Sequence, residues 1–143
     1  MPPDQDRILI LDYGSQYTQL IARSIRELGV YCEIVAPEID TDDIKNFAPN
    51  GVVLSGGPAS VNDEDTPPIP IEILDGHYPV LGVCYGMQAL ALHLGGAVET
   101  AEEREYGPAR LTLSSQSVLL DGLEEITNGV DDPLQVWMSH GDR

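Results

Sequence analysis

The first two thirds of the sequence alternate between short apolar runs and segments with helical spacing. Four apolar runs of strand length occur, at residues 7–12, 31–36, 51–54 and 79–83. Intervening segments fit a helix over residues 15–28 that ends at Gly29, a short helix capped by Thr41, and a helix over residues 85–94 that ends at Gly95. A chain that returns through a helix after each strand builds a parallel sheet with helices on both faces. We therefore predict an α/β fold with an open, mostly parallel sheet.

The last third of the sequence has a different pattern. Short apolar runs at residues 110–113, 117–120 and 134–138 predict strands, and no helical segment separates the first two. This pattern favours a small antiparallel extension at one edge of the sheet. The 143 residues contain no repeat or linker, and 42% of them are hydrophobic, which is typical of one globular domain.

The balance of charges excludes several kinds of partner. With 24 acidic and 7 basic side chains, the formal net charge is -17, and the only lysine is Lys45. A surface of this sign repels nucleic acid and anionic lipid, so we expect binding to neither. The apolar run at residues 8–11 is too short for a signal peptide or a membrane span, which indicates a cytoplasmic protein. The acidic excess fits either an ordinary acidic surface or adaptation to high salt.

Two cysteines, Cys32 and Cys84, are the only thiols in the sequence. They have neither CxxC spacing nor a histidine cluster, so we predict no metal site. Cys32 lies inside a strand pattern and is expected to be an inert core residue. Cys84 lies in Gly82-Val83-Cys84-Tyr85-Gly86, where glycines flank a strand-to-helix junction, as is typical of a nucleophile elbow. The helix start also favours a thiolate, whereas the alternative is that Cys84 is another small buried residue.

A thiol nucleophile in acyl transfer needs N–H donors for the oxyanion that forms. The backbone N–H groups of Tyr85 and Gly57 fit this role, because ligands of an open parallel sheet bind beyond the carboxyl ends of its strands. The alternative for residues 55–58 is an ordinary Gly-Gly-Pro turn. A P-loop is excluded, since no Gly-Lys-Ser or Gly-Lys-Thr sequence follows.

Three histidines are candidates for the base that such a nucleophile requires. His77 precedes the fourth strand and therefore lies toward the opposite end of the sheet. His93 is nine residues after Cys84 in the same helix, and a rise of 1.5 Å per residue puts it about 13 Å away. His140 follows a predicted strand and is a candidate for lining the pocket. None of the three is predicted to be a triad base.

Four sequence motifs occur in the order found in a known enzyme family. They are Leu11-Asp12-Tyr13-Gly14-Ser15-Gln16-Tyr17, Leu54-Ser55-Gly56-Gly57-Pro58, Leu81-Gly82-Val83-Cys84-Tyr85-Gly86-Met87-Gln88 and Trp137-Met138-Ser139-His140-Gly141-Asp142. Together they resemble the glutamine amidotransferase domain of GMP synthetases, a class I, triad-type amidotransferase with a flavodoxin-like fold. The similarity covers the whole chain, and its last two motifs point to this branch rather than to carbamoyl-phosphate or anthranilate synthesis.

The resemblance implies that Cys84 attacks the side-chain carboxamide of glutamine, giving a thioester and ammonia, and that water then releases glutamate. It implies that Gly57 and Tyr85 bind the oxyanion through backbone N–H groups. Four further residues would hold the glutamine: Gln88, Ser139, His140 and Gly141. Ammonia would pass to an ATP pyrophosphatase portion that converts XMP to GMP. ATP and magnesium would belong to that portion, and this chain would hold no cofactor.

The sequence departs from the family in one respect. The family's catalytic histidine and glutamate lie in a His-Pro-Glu motif, which the 143 residues do not contain. We therefore expect residues 1–143 to be a C-terminally incomplete amidotransferase domain, inactive alone. The resemblance implies that the complete enzyme is a homodimer. Two alternatives stay open: a non-catalytic glutamine-binding or regulatory module, and another cysteine-elbow member of the superfamily, such as a peptidase-like enzyme. Against the peptidase-like alternative, such enzymes usually carry an acidic residue or a histidine next to the nucleophile, whereas in this sequence Tyr85 follows Cys84.

Overall fold

A computed structural model describes residues 5–57, 69–97, 100–111, 119 and 134–142 of the chain. The chain divides into two compact units, of which the first is Met1–Glu99 with Arg143 and the second is Thr100–Asp142. The first unit holds a parallel sheet and the described helices, and the second holds an antiparallel pair of strands. None of the described helices is long and apolar enough to cross a membrane.

The first unit alternates strands and helices, as predicted. Its strands are β1 (Arg7–Leu11), β2 (Tyr31–Val35), β3 (Gly51–Leu54) and β4 (Val80–Gly82). Its helices are α1 (Thr18–Glu27), α2 (Thr41–Phe47), α3 (Ile71–Leu74) and α4 (Tyr85–His93). The strands are hydrogen-bonded in the order β2-β1-β3-β4, and each of these pairs is parallel. This confirms the α/β class, and the order agrees with a flavodoxin-like sheet.

Both faces of the sheet are covered by helices. On one face, the buried cluster includes Leu9 and Leu11 of β1, Val52 and Leu54 of β3, Ile44 of α2 and Ala89 of α4. On the other face, it includes Ile10 of β1, Cys32 of β2, Val53 of β3 and Ala22 of α1. Neighbouring residues of a strand point to opposite faces, so the continuous apolar runs of β1 and β3 supply both clusters.

Two helix starts differ from the predictions. α1 begins at Thr18 rather than at residue 15, because the Ser15 Oγ accepts the N–H of the residue two positions later at 3.0 Å and turns the chain first. The predicted cap at Thr41 is wrong, since Thr41 is the first helical residue and Asp40 holds the N-cap position. Asp40 has an extended ψ of 149°, and its carbonyl accepts the first intrahelical hydrogen bond at 3.1 Å.

The ends of α1 and α4 agree with the predictions, whereas α3 is an addition. Gly29 and Gly95 follow the two helices with φ angles of 82° and 92°, in the left-handed region that glycine adopts readily. The sequence does not predict α3, because a helix of four residues is too short for a periodic pattern. Its Ile73 is buried and belongs to the core cluster that contains Leu54.

The second unit consists of β5 (Thr100–Leu111) paired with β6 (Leu134–Asp142). Leu111 lies opposite Leu134 and Thr100 opposite Asp142, which makes the pair antiparallel as predicted. The predicted bounds are wrong, because β5 begins at residue 100 rather than 110 and β6 continues to residue 142 rather than 138. The first part of β5 contains Glu, Gly and Pro, which are uncommon in strands in general. Strand propensity therefore does not predict this part of β5. The predicted strand at residues 117–120 lies outside the described residues, apart from Leu119.

Candidate active site

The loops after β1, β3 and β4 begin at one edge of the sheet. Leu11 lies opposite Leu54, and Leu54 lies opposite Gly82, so the three strands end level with one another. Pairing continues one residue further, because the Ser55 N–H donates to the Leu11 carbonyl at 3.0 Å and the Val83 N–H to the Leu54 carbonyl at 2.9 Å. This is the edge at which open parallel sheets bind ligands.

Cys84 forms the sharp turn between β4 and α4. Its φ of 51° and ψ of -114° are rare for an L-residue, and it holds the N-cap position of α4. The turn closes through hydrogen bonds from the Gly86 N–H to the Val83 carbonyl at 3.0 Å and from the Gln88 N–H to the Cys84 carbonyl at 3.1 Å. The Cys84 residue is exposed, unlike a core cysteine. A strained turn with an exposed thiol has the geometry of a nucleophile elbow.

The two glycines of the elbow stand where backbone segments approach closely. A Cβ on Gly82 would lie 2.7 Å from the Met87 Cα. A Cβ on Gly86 would lie 2.6 Å from the carbonyl carbon of Leu54, and closer still to its oxygen. Non-bonded heavy atoms do not approach to these distances, so neither position accepts a side chain. The G-x-C-x-G spacing therefore reflects the direct packing of α4 on the ends of β3 and β4.

The glycine loop after β3 lies against both the elbow and the loop after β1. A Cβ on Gly56 would lie 3.1 Å from the Cys84 Cβ and 3.5 Å from the Ser15 Oγ. A Cβ on Gly57 would overlap the carbonyl oxygen of Tyr13. The backbone of this loop thus runs beside Cys84. The role of the Gly57 N–H as an oxyanion donor stays a prediction.

Three polar side chains connect the loops after β1 and β3. Asp12 and Ser55 lie in two of the sequence motifs, although neither was assigned a role, and Thr18 was not singled out by the sequence. The Thr18 hydroxyl lies 3.1 Å from Asp12 Oδ1 and 3.0 Å from Ser55 Oγ. Thr18 is 1% exposed and Ser55 is 0% exposed. The signal in the sequence is weak, because Ser, Thr and Asp beside strand ends are common in ordinary turns.

Tyr13 and Tyr85 pack against each other, with ring centroids 5.2 Å apart and ring planes at 41°. Burial raises the pKa of the Tyr13 hydroxyl well above its usual value, and the neighbouring Tyr85 and Glu38 raise it further. The Tyr85 Oη is buried and has no hydrogen-bond partner in the described part of the chain. The Tyr85 ring therefore belongs to the core, and only its backbone N–H is a candidate for catalysis.

The residues expected to hold glutamine fall in both units. Gln88 lies in the first turn of α4 and is partly buried. Ser139, His140 and Gly141 lie in β6 of the second unit. The side chains of these three lie outside the described residues, so their binding roles stay predictions.

In the first unit, two histidines, His77 and His93, are exposed, and the second cysteine, Cys32, is buried. His77 is exposed in the turn before β4, with its Nε2 3.2 Å from the Asp75 carboxylate. His93 is the last residue of α4 and is exposed. Cys32 is 1% exposed, and its thiol donates to the Ala22 carbonyl at 3.4 Å, as expected of a core residue. Within the described ranges, no group of three His, Cys, Asp or Glu residues could hold a metal ion.

The sequence has relatives among known enzymes. Residues 9–143 match the family model described as glutamine amidotransferase class-I. Over 138 residues the chain is 52% identical to the GMP synthase (glutamine-hydrolyzing) of Cronobacter sakazakii and 54% identical to that of Idiomarina loihiensis. Each match covers 96% of this chain and 26% of the relative, so the chain spans about a quarter of the length of these relatives.

Two solved structures share the fold. A putative GMP synthase subunit from Thermoplasma acidophilum superposes with a TM-score of 0.75 at 31% identity, over 97% of this chain and 66% of that one. A glutamine amido transferase from Methylobacillus flagellatus gives a TM-score of 0.65 over 96% of this chain and 55% of that one, and its 21% identity supports the fold alone. The match to the family model over residues 9–143 shows that this chain belongs to the class-I glutamine amidotransferase family.

Proposed function

We propose that this chain carries the nucleophile of a glutaminase active site, and that the nucleophile is Cys84. The observation that carries the proposal is the φ of 51° at an exposed Cys84, between a strand and a helix. Backbone strain of this kind persists only where surrounding structure holds it, and it is concentrated at functional sites.

In the proposed reaction, the Cys84 thiolate adds to the carboxamide carbon of glutamine and forms a tetrahedral intermediate. The carbon–nitrogen bond then breaks, the nitrogen takes up a proton, and ammonia leaves a γ-glutamyl thioester on the sulfur. Water adds to the thioester carbon, the carbon–sulfur bond breaks, and glutamate and the thiol are released.

The negative charge of the tetrahedral intermediate lies on the former amide oxygen, and the N–H groups of Gly57 and Tyr85 receive it in this proposal. Two observations support the assignment. The backbone of Gly56, which directly precedes Gly57, lies beside Cys84. Tyr85 is the first residue of α4, where N–H groups have no acceptor inside the helix and the helix dipole favours negative charge.

The glutamine itself carries an amino and a carboxylate group that need polar partners. Gln88 lies one turn after Cys84 on α4, with a side chain that is partly buried and able both to donate and to accept. Ser139, His140 and Gly141 of β6 complete the proposed set of glutamine-binding residues. Their assignment rests on the match of the Ser-His-Gly-Asp segment to the family.

The matched relatives are GMP synthases, and this chain covers 26% of each. We place it as the glutaminase portion of such an enzyme, supplying ammonia for the amination of XMP to GMP. A separate ATP pyrophosphatase portion, which uses ATP and magnesium, would be its partner, and the complete enzyme would be a cytoplasmic homodimer. On this proposal residues 1–143 bind glutamine and need no metal, cofactor or nucleic acid.

The 143 residues contain no His-Pro-Glu sequence, which holds the catalytic histidine and glutamate of the family. Without a positioned base, proton transfer to the leaving nitrogen and activation of water are slow, and such transfers contribute about 100-fold to 10,000-fold to rate. We therefore expect the 143-residue chain to release negligible glutamate while still presenting a reactive Cys84.

The chloroketone analogue of glutamine, 2-amino-4-oxo-5-chloropentanoic acid, tests this proposal in the 143-residue chain. The thiolate adds to its carbonyl carbon and gives a tetrahedral oxyanion. The sulfur then bonds to the neighbouring CH₂ carbon as chloride leaves, the first carbon–sulfur bond breaks and the carbonyl re-forms. Mass spectrometry detects the resulting thioether. We expect one adduct, on Cys84, that forms more slowly in excess glutamine. The matched control Cys32→Ala should label like the wild type, and Cys84→Ala should not label.

The outcomes separate the proposed enzyme from a binding module. A non-catalytic glutamine-binding module would bind glutamine in calorimetry but leave Cys84 no more reactive than N-acetylcysteine. Labelling that glutamine does not slow would contradict a glutamine site. Glutamate release that disappears in Cys84→Ala would contradict the expected inactivity and point to His140 as a base.

A further inference from the structure

A pair of buried hydroxyls lies behind the glycine loop that faces Cys84. Ser55, directly before Gly56, is 0% exposed, and Thr18, at the start of α1, is 1% exposed. Their side-chain oxygens are 3.0 Å apart. Both side chains are buried, so neither touches a substrate, and any effect on the reaction has to act through the backbone.

The two hydroxyls join the ends of β1, α1 and β3 in one hydrogen-bond network. The Thr18 hydroxyl proton is shared between Asp12 Oδ1 at 3.1 Å and Ser55 Oγ at 3.0 Å. The Ser55 hydroxyl donates to the Leu11 carbonyl at 2.9 Å and accepts the Tyr13 N–H at 3.4 Å. The same Asp12 oxygen accepts a backbone N–H two residues later at 2.8 Å. We call these three side chains the Asp12–Thr18–Ser55 network.

The network determines where the glycine loop can lie. Ser55 directly precedes Gly56 and Gly57 in the chain. The hydrogen bond from the Tyr13 N–H to the Ser55 hydroxyl also fixes Tyr13, whose carbonyl lies against Gly57. Gly56 in turn lies against Cys84, with an added Cβ only 3.1 Å from the Cys84 Cβ. A displacement of Ser55 would therefore move the Gly57 N–H relative to the sulfur.

We propose that Thr18 and Ser55 are positioning residues that hold the Gly57 N–H where the oxyanion forms. This inference rests on the proposed function, in which Cys84 is the nucleophile and Gly57 a donor. Oxyanion donors accelerate a reaction only when they are held in place beforehand, since reorganising them during the reaction costs the energy that they would supply. Buried hydroxyls bonded to backbone on both sides provide that rigidity.

Two electrophiles separate positioning from general damage to the fold. The chloroketone passes through a tetrahedral oxyanion, whereas iodoacetamide alkylates the thiolate by direct displacement of iodide and forms none. We expect Thr18→Val, which removes the hydroxyl at nearly constant volume, to slow chloroketone labelling of Cys84 by about tenfold or more, and iodoacetamide labelling by less than about twofold.

Matched variants control for loss of a hydroxyl and for stability. Thr18→Ser keeps the hydroxyl and should restore the wild-type ratio of the two rates. Thr41→Val removes a hydroxyl at the start of α2, a helix without a side-chain cap bond, and should leave both rates unchanged. Ser55→Ala should repeat the effect of Thr18→Val, and thermal denaturation of each variant verifies that it is folded at the labelling temperature.

The result that would overturn the inference is a Thr18→Val chain in which both reagents slow equally or neither slows. A wild-type chain that the chloroketone does not label overturns the proposed function instead. Nitrogen-15 relaxation of the Gly56 and Gly57 amides then decides the positioning role by itself. It should show added motion in Thr18→Val and Ser55→Ala but not in Thr41→Val, and unchanged relaxation in all three would end the inference.

Discussion

At the scale of single residues, the conformation of Cys84 is imposed by its surroundings. Two non-glycine residues of the described chain have positive φ, Ala48 and Cys84, both at 51°. Ala48 has a ψ of 60°, in the ordinary left-handed region, whereas the Cys84 ψ of -114° lies outside it. The packing of α4 on β3 and β4 holds Cys84 in place, because Gly82 and Gly86 leave no gap for a looser turn.

The second glycine of the elbow gives a prediction at this scale. Gly86→Ala forces a methyl group onto the backbone of Leu54, and we expect this to lower the free energy of unfolding by about 3 kcal/mol or more. Urea denaturation followed by circular dichroism measures the change.

The control is a glycine in open space. An added Cβ on Gly29 meets no atom within 4 Å, although its φ is 82°, so Gly29→Ala should cost only about 1 kcal/mol of backbone strain. Equal effects of the two substitutions would mean that the contact between α4 and β3 is looser than described.

At the scale of elements, the end of α2 stores strain that a substitution can release. Ala48 follows the helix in the left-handed conformation, and its N–H is shared between the Ile44 and Lys45 carbonyls, both at 3.1 Å. Such a position is usually glycine, since a Cβ is unfavourable there. We expect Ala48→Gly to raise the free energy of unfolding by about 0.5 kcal/mol, the relief of strain minus the greater freedom of glycine in the unfolded chain.

Ala91→Gly, inside α4, is the matched comparison. It should lower stability by about 1 kcal/mol, since an ordinary helical position gains nothing from glycine. The urea midpoints of both variants measure the difference. A destabilising Ala48→Gly would show that the end of α2 is not strained.

The elements also show what sequence patterns can predict. The runs that became β1 to β4 were predicted, because each carries its own apolar pattern and is bounded by a turn or a helix. β5 was predicted only at its last residues, since its charged first part becomes a strand by pairing with β6. α3 was missed because one helical turn has no period, and it forms where Ile73 reaches the core.

At the scale of the whole molecule, the net charge of -17 opposes folding by self-repulsion. Some of these charges are concentrated, because a surface depression beside β2 and α2 is lined by Glu33, Glu38, Asp40 and Asp43. Salt screens such repulsion. Raising the salt concentration from about 0.01 M to about 0.5 M shortens the screening length from about 30 Å to less than 10 Å.

We therefore expect the melting temperature to rise by about 3–5 °C over this range, equivalent to about 1 kcal/mol for a chain of this size. Scanning calorimetry in sodium chloride measures the rise. Replacing two carboxylates of the depression, in Glu38→Gln with Asp43→Asn, should reduce it. A plateau above about 0.5 M indicates an ordinary acidic surface, whereas a continued rise to molar salt indicates salt adaptation. A melting temperature independent of salt would contradict both.

The sequence by itself determined the α/β class, the order of β1 to β4 with α1, α2 and α4 along the chain, and the elbow around Cys84. These features follow from the local periodicity of apolar residues and from the spacing of glycines over the five residues 82–86, so they can be predicted without knowledge of any distant contact. Only the tertiary structure decided that Thr18 meets Ser55, 37 positions away, and that Gly86 lies on Leu54. Such contacts follow from the strand order and register of the folded sheet, which bring together residues that no local pattern connects.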